Sequence, residues 1–535
     1  MRRTLIGAGA AAAVLAAGGV SVAAVTGGGV PHAQPRVDSP PTLLSNGWSA
    51  QVIAQGSDTL ENPLGIYTKY GYLNDHASQP SGLDTKTEPD QNTYIVTDDN
   101  PGGPDASFDY GRHFLIQGHE VFGATNPRAY ITRINLDVED AAHRITLLNA
   151  PDANDKTGIS SLDGSTYHPF SKQLVFTAEA GKDGGVVSTP LEWPSTQVPA
   201  LKYHYGSMGQ GGYEGIHPDD KGNLVIVEDV GGSSVSGTTV KQPNSFVYRF
   251  KPSTPGDLDH GRLQALQVSV DGKPITFHAA DRALDALGEP IRRLHSGEQL
   301  QATWVTIHDT AVDGTVSFDA NALAKAKGAT PLKRPENGKF VPGTGFRSFV
   351  FDETGDTNAT AGNYPGAAER GAWGALLRLD MPASGADEGT IRTLLVGDAA
   401  HSGFDNIAFL DRNTVLAGED RGDTLHQQLN ALDSLWAFDI NKPRPDIVES
   451  SKRLIAQGRD PEATEDVNRK DRGLPDQNDG DNEITGIHVS DGSTSADGIL
   501  GAADPAKLSG VRIFVTGQHG ANKTYELTSR PTSRP

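Results

Sequence analysis

The feature that most constrains the fold of this chain is a strand-and-turn pattern that recurs along the sequence. From Glu214 to Gly231, an acid on a glycine-flanked turn leads into a short aliphatic strand that ends in two more acids and a glycine. The run from Asp405 to Gly422 repeats the pattern with the same spacing between its opening and closing acids. Looser copies, each followed by a second strand-like segment, indicate six hairpins in all. Their tips carry His119 and Glu120, Glu179, Glu228 and Asp229, Glu353, Glu419 and Asp420, and His519.

Hairpins that recur at irregular periods of about 50 residues or more are typical of a β-propeller with insertions. Equivalent strands of a propeller run in the same direction, so equivalent tips emerge on one face around the axis. We therefore predict an all-β fold, a six-bladed β-propeller, whose tip residues converge near one end of a central channel. The predicted segments are a propeller over 36–530, a ring-closing strand within 47–56, an insertion at about 251–345 with weak helices at 281–294 and 322–327, and a tail at 531–535.

Charge and composition restrict the partners of the chain. Acids outnumber bases by 67 to 46, which gives a formal charge of -21 that repels phosphate backbones and argues against nucleic acid. A scattered excess of acid would only keep the protein soluble, but here acids recur at strand tips, which favours cations and calcium above all. The chain has no cysteine, so any metal site must use oxygen and imidazole ligands.

The N-terminus predicts export. Residues 1–35 begin with Met1, Arg2 and Arg3, continue through an Ala/Gly/Val run and end in a Gly/Pro spacer. Paired arginines before a weakly hydrophobic segment are typical of the twin-arginine route. We expect an extracellular, periplasmic or cell-surface protein with no stable membrane span after signal removal. The competing interpretation is a retained anchor, which is disfavoured because Ala and Gly contribute little to membrane insertion.

Crowded carboxylates favour a bound metal, because like charges that lie close together repel in a partly desolvated site. Carboxylate, amide and carbonyl oxygens suit Ca²⁺, Mg²⁺ or Mn²⁺, and His119, His217 or His519 would extend the set to iron or zinc, or would hydrogen-bond to the ligands from outside. In Arg334-Pro335-Glu336, an arginine held by proline would present an anion-binding fork beside a ligand. A surface ion pair is the alternative interpretation of that motif.

These residues give the chain a resemblance to the PhoX-type alkaline phosphatases, secreted bacterial enzymes with a six-bladed propeller. The resemblance covers nearly the whole mature chain in the order of its short motifs. Those motifs are Gly47-Trp48, His119-Glu120, Glu179, Glu214, Arg334-Pro335-Glu336, Asp405-Asn406, Glu483-Ile484-Thr485-Gly486 and Gln518-His519.

The resemblance implies hydrolysis of phosphate monoesters at a cluster of iron and calcium ions at the channel mouth. It implies that Arg334 holds the phosphate, and it implies a set of metal ligands, the last three of them for calcium. Those ligands are Glu179, Glu214, Glu336, Asp405, Asn406 and Glu483.

The chain departs from the family at one strand tip. Where the family has Cys-Glu-Glu with the thiolate on iron, this sequence has Ala178-Glu179-Ala180. The sequence therefore predicts a calcium-dependent phosphoesterase, with iron as a further possibility. Two alternatives stay open, a calcium-stabilised propeller that only binds a partner and a calcium-dependent hydrolase of the lactonase kind.

Overall fold

The structure, a computed structural model, describes residues 42–62, 69–71, 87–121, 128–149, 156–193, 201–431, 433–457, 483–495, 511–518 and 522–529. The predicted export signal at 1–35, the tail at 531–535 and His519 lie outside these residues. The fold is all-β and propeller-like, as the repeated hairpins predict.

The strands form five hydrogen-bonded sheets. Strands β1 Thr42–Leu44 and β2 Trp48–Ala54 come first in the chain. The first sheet contains β3 Glu88–Val96, β4 His113–Glu120, β5 Tyr130–Asn135 and β6 Ile145–Leu147. The second contains β7 Leu162–His168, β8 Gln173–Ala178, β9 Gly185–Pro190 and β10 Lys202–Tyr203.

The third sheet is the largest. It contains β11 Tyr213–Pro218, β12 Leu224–Glu228, β13 Val247–Pro252, β14 Gly261–Val270, β15 Lys273–Pro274, β16 Leu300–Asp309, β17 Gly338–Phe340, β18 Ser348–Glu353, β19 Ala375–Asp380 and β20 Glu388–Val396. The fourth contains β21 Phe404–Phe409, β22 Thr414–Glu419, β23 Ser434–Asp439 and β24 Lys452–Gln457, with β1 added on β24. The fifth contains β25 Ile484–Ser490, β26 Arg512–Gly517 and β27 Thr524–Ser529.

The ring is closed by its own ends. Strand β2 pairs with β27, so a strand from the start of the chain completes the last sheet, which confirms the ring-closing strand predicted within 47–56. The first strands of successive hairpins also contact one another in cyclic order, from β3 through β7, β11, β17, β21 and β25 back to β3. These six strands therefore surround a common axis, and their ends define the face on which the tips lie.

The third sheet departs from a simple repeat. Strand β16 hydrogen-bonds to both β14 and β20, and so it joins the units β11 to β14 and β17 to β20 into one continuous sheet. The molecule thus has five separate sheets where six separate ones are predicted. The repeated sequence pattern predicts separate hairpins and does not predict a strand that joins two of them. Strand β16 comes from the segment between the third and fourth hairpins.

The segment 251–345 is largely ordered into regular elements. Strand β14 within it pairs with β13 as a regular strand of the sheet. The predicted helical stretches are present and begin at aspartate caps, because the side chains of Asp281 and Asp319 accept hydrogen bonds from backbone N–H groups of the first turn. The helices among the described residues are α1 Tyr205–Met208, α2 Arg282–Leu287, α3 Glu289–Leu294, α4 Thr310–Asp313, α5 Ala320–Ala326, α6 Ala359–Gly362, α7 Gly422–Leu429 and α8 Asp446–Glu449, with single 3₁₀ turns at Gly181–Asp183 and Ala368–Arg370.

Apolar side chains fill the space between neighbouring sheets, which leaves the axis to polar groups. Val175 of β8 packs with Ile216 and Ile226 of the next hairpin, and Phe114 of β4 packs with Phe176 of β8. Burial of this kind stabilises by roughly 25 cal/mol per Å² of apolar surface. None of the helices in the described part of the chain is long and apolar enough to cross a membrane.

Candidate metal centre at the axis of the ring

An irregularity in the inner strands aims acidic side chains at the axis. In five of these strands the register with the second strand shifts, so two residues bulge out of the ladder. Bulges re-aim side chains and are frequent beside active sites. The bulged pairs are Asp90 with Gln91, Asp163 with Gly164, Glu214 with Gly215, Asp405 with Asn406, and Gly486 with Ile487.

Two of the bulges require glycine because neighbouring inner strands approach closely there. A Cβ on Gly164 would collide with the carbonyl oxygen of Glu214, and one on Gly215 would lie 2.9 Å from the Cα of Asn337. The N–H of Gly215 also donates to the carbonyl oxygen of Glu336 at 2.7 Å. The acids that precede these glycines are thereby brought together by backbone contact.

The tip residues divide by the alternation of the strand. The first residue of a tip pair faces into the packed sheets, and Glu228 is the clearest case. Its Oε2 accepts hydrogen bonds from Phe246 N at 3.1 Å, Tyr248 Oη at 2.9 Å and Asn321 Nδ2 at 3.0 Å. Burial raises the pKa of Glu228 to about 8. These partners belong to its own sheet and to helix α5, so Glu228 supports the sheet and does not face the axis.

Three further tip residues also face away from the axis. His119 hydrogen-bonds through its two ring nitrogens to Thr87 and Thr132, at 3.1 and 2.9 Å. Glu419 accepts from Arg421 Nη2 at 2.6 Å and from the N–H groups of Ser402 and Ser434. Glu353 accepts a hydrogen bond of 2.6 Å from His295. The structure does not group His119, Glu228, Glu353 and Glu419 with the acids at the axis, because each has hydrogen-bond partners in the surrounding sheets and loops.

The second residue of the tip pairs faces the axis, where it meets the bulged acids. Asp90, Glu120 and Asp163 each present one carboxylate oxygen, and the three oxygens lie within 4.8 Å of one another. Glu179, Glu214 and Asp229 form a second such group. Asp420 interacts electrostatically with members of both groups. We call these residues, with Glu336, Asp405 and Glu483, the axial acids.

Hydrogen bonds link the axial acids, yet several oxygens are left over. Gln518 Nε2 donates to Asp90 Oδ2 at 2.9 Å and to Glu120 Oε2 at 3.1 Å, and Thr485 Oγ1 donates to Asp90 Oδ1 at 2.6 Å. By contrast, three buried carboxylate oxygens of the axial acids have no partner among the described residues: Glu120 Oε1, Asp163 Oδ1 and Asp405 Oδ2. A buried, unpartnered carboxylate oxygen is costly unless a cation or proton satisfies it.

Arg334 is the one guanidinium among the axial acids that the structure describes. Its Nε and Nη2 form a two-pronged bond with Asp229, at 2.9 and 2.7 Å, and Nη2 lies 3.2 Å from Glu336 Oε1. Nη1 donates to none of the described residues. The backbone φ of Arg334 is 58°, a left-handed conformation that is costly for a residue with a side chain and is concentrated at functional sites. The arginine is thus held on one edge and available on the other.

The electrostatics of the axial acids favour protonated or cation-bound carboxyls. Burial raises the pKa of Asp90 to about 6 and that of Glu179 to about 8, and neighbouring negative charge adds to both. Burial opposes the charge on Arg334, but Asp229 and Glu336 hold its pKa above its usual range. Burial first, and then the charge of nearby acids, also raises well above its usual range the pKa of Glu120, Asp163, Glu214, Glu336, Asp405 and Glu483.

The donor set fits calcium. The metal ligands that the described residues offer at the axis are carboxylate and amide oxygens, including that of Asn406, whose Nδ2 lies 3.2 Å from Asp405 Oδ1. The unpartnered carboxylate oxygens need a positive charge. Ala178 stands where the resemblance implies an iron-bound thiolate, and its methyl group is fully buried in an apolar cluster with Leu162 and Phe176. The side chain of Ala178 offers no ligand atom to an iron ion. His217 of β11 forms no hydrogen bond with an axial acid among the described residues and lies three residues further along its strand than Glu214.

The structure brings together most of the residues that the sequence singled out. Arg334 lies with all the predicted metal ligands, and with Glu120, Asp229 and Asp420 from the wider set. Sequence reasoning missed Asp90 and Asp163 as site residues. The signal for Asp163 is the acid followed by a glycine, as in Glu214 with Gly215. Asp90 has no such signal, because it lies in the polar start of β3, which begins at Glu88.

Comparison with known proteins supports the fold. No protein-family model and no curated protein sequence matches the chain. Among solved structures, PhoX of Pseudomonas fluorescens in complex with vanadate, a transition state analogue, is 12% identical, with 94% of this chain and 97% of that chain covered and a TM-score of 0.54. The calcium structure of a Trichoderma reesei carbohydrate-active enzyme of family AA12 is 10% identical, with 93% and 99% covered and a TM-score of 0.33. The chain therefore shares its overall fold with PhoX, a likeness that at this identity concerns the fold alone.

Proposed function

We propose that this protein is an exported, calcium-dependent phosphoesterase that hydrolyses phosphate monoesters at the axial acids of a six-bladed propeller. The cyclic contacts of the six inner strands support the blade count, with β16 joining two blades at their outer strands. The paired arginines of the N-terminal segment support export by the twin-arginine route. The structural similarity to PhoX supports the reaction class.

The observation that carries the proposal is one anchored guanidinium surrounded by buried carboxylates. An anion could not approach this acid cluster unaided, since unit charges 4 Å apart repel by about 4 kcal/mol at an effective dielectric of about 20. Cations on the acids would reverse the sign of the field and make the free edge of Arg334 a phosphate site. Glu179, Glu214, Glu336, Asp405, Asn406 and Glu483 would hold the ions, together with Asp90, Glu120 and Asp163.

Bound calcium would supply the positive charge that stabilises phosphoryl oxygens. The chain itself supplies orientation. Asp229 fixes the guanidinium plane of Arg334, so Nη1 can donate to a phosphate oxygen without the arginine having to order first. The raised pKa of Glu179 keeps a proton at this carboxyl at neutral pH until a cation displaces it.

The test is turnover of p-nitrophenyl phosphate by calcium-loaded wild type and by Arg334→Ala. We expect the variant to lose about 100-fold or more in kcat/KM, the usual effect of removing a positioned donor to a developing anion. Arg512→Ala is the matched control, because Arg512 also forms a two-pronged bond to a carboxylate, with Glu526 at 2.7 and 2.6 Å, on a strand of the last sheet. Equal activity of Arg334→Ala and Arg512→Ala would refute the assigned role of Arg334.

Ala178 supports a second candidate function, a calcium-stabilised propeller that binds a partner without catalysis. This alternative predicts that calcium raises the melting temperature of the protein while neither phosphate esters nor lactones are turned over. Lactone turnover without phosphate-ester turnover would instead favour a hydrolase of the lactonase kind.

A further inference from the structure

One residue in each inner strand occupies the same position in the ring. Each is paired with the residue three places before the strand-end position of its hairpin, as His217 is with Val225 and Lys339 is with Val350. Those strand-end positions are His119, Ala178, Glu228, Glu353, Glu419 and Gly517. We call these six residues the channel layer. Its members are Thr93, Thr166, His217, Lys339, Ala408 and His488.

The channel layer carries one ammonium group and two imidazole rings and no carboxylate, in contrast to the axial acids above it. Lys339 is only 7% exposed, and its ammonium group has no hydrogen bond or ion pair with any residue that the structure describes. His217 is 2% exposed, and neither of its ring nitrogens has a partner. His488 is also buried and hydrogen-bonds to Ser490 Oγ at 2.9 Å. An unpartnered buried ammonium beside two unpartnered imidazole nitrogens is an arrangement that proteins rarely leave unsatisfied.

Lys339, His217 and His488 share this layer although they come from separate strands. Burial first, and then the positive charge of Lys339, lowers the pKa of both His217 and His488. In the cyclic order of inner strands, β11 and β17 are neighbours, and β25 lies opposite β11 and two places from β17. The shared position on the inner strands therefore places these three side chains around the same section of the channel.

The layer lacks a compensating acid. Asp352 of β18 is the acid whose charge acts on Lys339, but the two form no ion pair. Asp352 Oδ1 instead accepts a hydrogen bond of 2.7 Å from the backbone N–H of Asn337, and burial raises the pKa of Asp352 well above its usual range. Burial of Lys339 without a partner lowers its pKa to about 7. A bound anion would stabilise the protonated amine and accept a hydrogen bond from the ring N–H of His217, which has no partner among the described residues.

We propose that Lys339, His217 and His488 form a binding site for a small inorganic anion in the axial channel, on the inner side of the axial acids. The proposal does not depend on catalysis at Arg334, because the residues, their strand positions and the sign of the charge are different. The ligand class is a halide or a small oxyanion such as inorganic phosphate, either of which an ammonium and imidazole N–H donors would recognise.

The test is anomalous diffraction from crystals of the full chain soaked in sodium bromide. We expect bromide beside Lys339 in the wild type, and its loss in Lys339→Met, which keeps the length of the side chain and removes the charge. Lys325→Met is the matched control, since Lys325 is a half-buried lysine of helix α5 that lies over the ring of Phe277. In solution, chloride NMR line broadening should report an anion affinity at least about tenfold lower in Lys339→Met than in Lys325→Met, the effect of one charge-assisted hydrogen bond.

Addition of phosphate to the bromide soak distinguishes the two ligand sources. Displacement of bromide identifies an oxyanion site, and persistence of bromide identifies a halide site. The inference is overturned if the wild type binds no bromide in the channel layer, or if Lys339→Met retains it. The wild-type experiment decides the question even if Lys339→Met does not fold.

Discussion

Calcium affinity should rise steeply with pH, because the cation must displace protons from the axial acids. Burial raises the pKa of Glu179 to about 8, so this carboxyl carries a proton at neutral pH in the metal-free protein. Asp90, with a pKa of about 6, has lost its proton by then. Each displaced proton changes the apparent affinity by about tenfold per pH unit, or about 1.4 kcal/mol.

The expected slope follows from this proton count. Between about pH 6.5 and 7.5, Glu179 alone gives a gain of about 8-fold in calcium affinity, close to the tenfold limit for one proton, and any other protonated axial acid adds to it. The stability of the metal-free fold changes with pH in the opposite direction. Because the folded pKa of Glu179 and of Asp90 lies above its ordinary value, the metal-free protein binds more protons than the unfolded chain, and its stability falls as pH rises through about 4 to 8. Calcium should therefore stabilise the fold more at high pH.

The assay is isothermal titration calorimetry with calcium in two buffers of different ionisation enthalpy, which gives both the affinity and the protons released. Glu179→Gln should lower the slope by about one tenfold step per pH unit. Glu228→Gln is the matched control. Burial raises the pKa of Glu228 to about 8 as well, yet Glu228 Oε2 accepts its hydrogen bonds from residues of its own sheet and of helix α5. An affinity that does not change between these pH values, or an equal effect of the two variants, would refute the reasoning.

Three further predictions concern the supports of the site. Gly164→Ala should lower the free energy of unfolding by about 2 kcal/mol, since its Cβ would collide with a carbonyl oxygen of the next inner strand. Gly231→Ala, with open space around it, should change the free energy by less than about 0.5 kcal/mol in the same urea titration. Asp229→Asn should weaken calcium binding by about tenfold or more in calorimetry, because it removes a charge beside the predicted ligands and releases the guanidinium that it anchors. His295→Ala should lower the free energy of unfolding in urea by about 3 kcal/mol, because it leaves the fully buried carboxylate of Glu353 without the histidine that lies 2.6 Å away. It should leave calcium stoichiometry unchanged.

The repeats predict the ring because each hairpin carries the same periodicity, and that periodicity fixes strand direction and hence the face on which tips emerge. The pairing of β2 with β27 was predictable for the same reason. The bridge made by β16 was not, since one strand that alternates in polarity does not reveal which edges it will join. Asp90 escaped prediction because β3 begins in a polar stretch without the aliphatic residues that mark the other inner strands.

Which residue of a tip pair faces the axis depends on the bulge in the inner strand as well as on the alternation of the strand. Alternation requires that neighbouring tip residues face opposite ways, so of Glu228 and Asp229 only one can reach the axis. The sequence contains both acids and does not decide between them. The pairing of Tyr213 with Glu228 decides it, because the bulge that follows turns Glu214 toward Asp229 and Glu179. The same bulge brings unpartnered carboxylate oxygens together, at a cost in the metal-free fold that a cation would remove. The backbone irregularity that makes the site is therefore also the reason that the fold favours a bound cation.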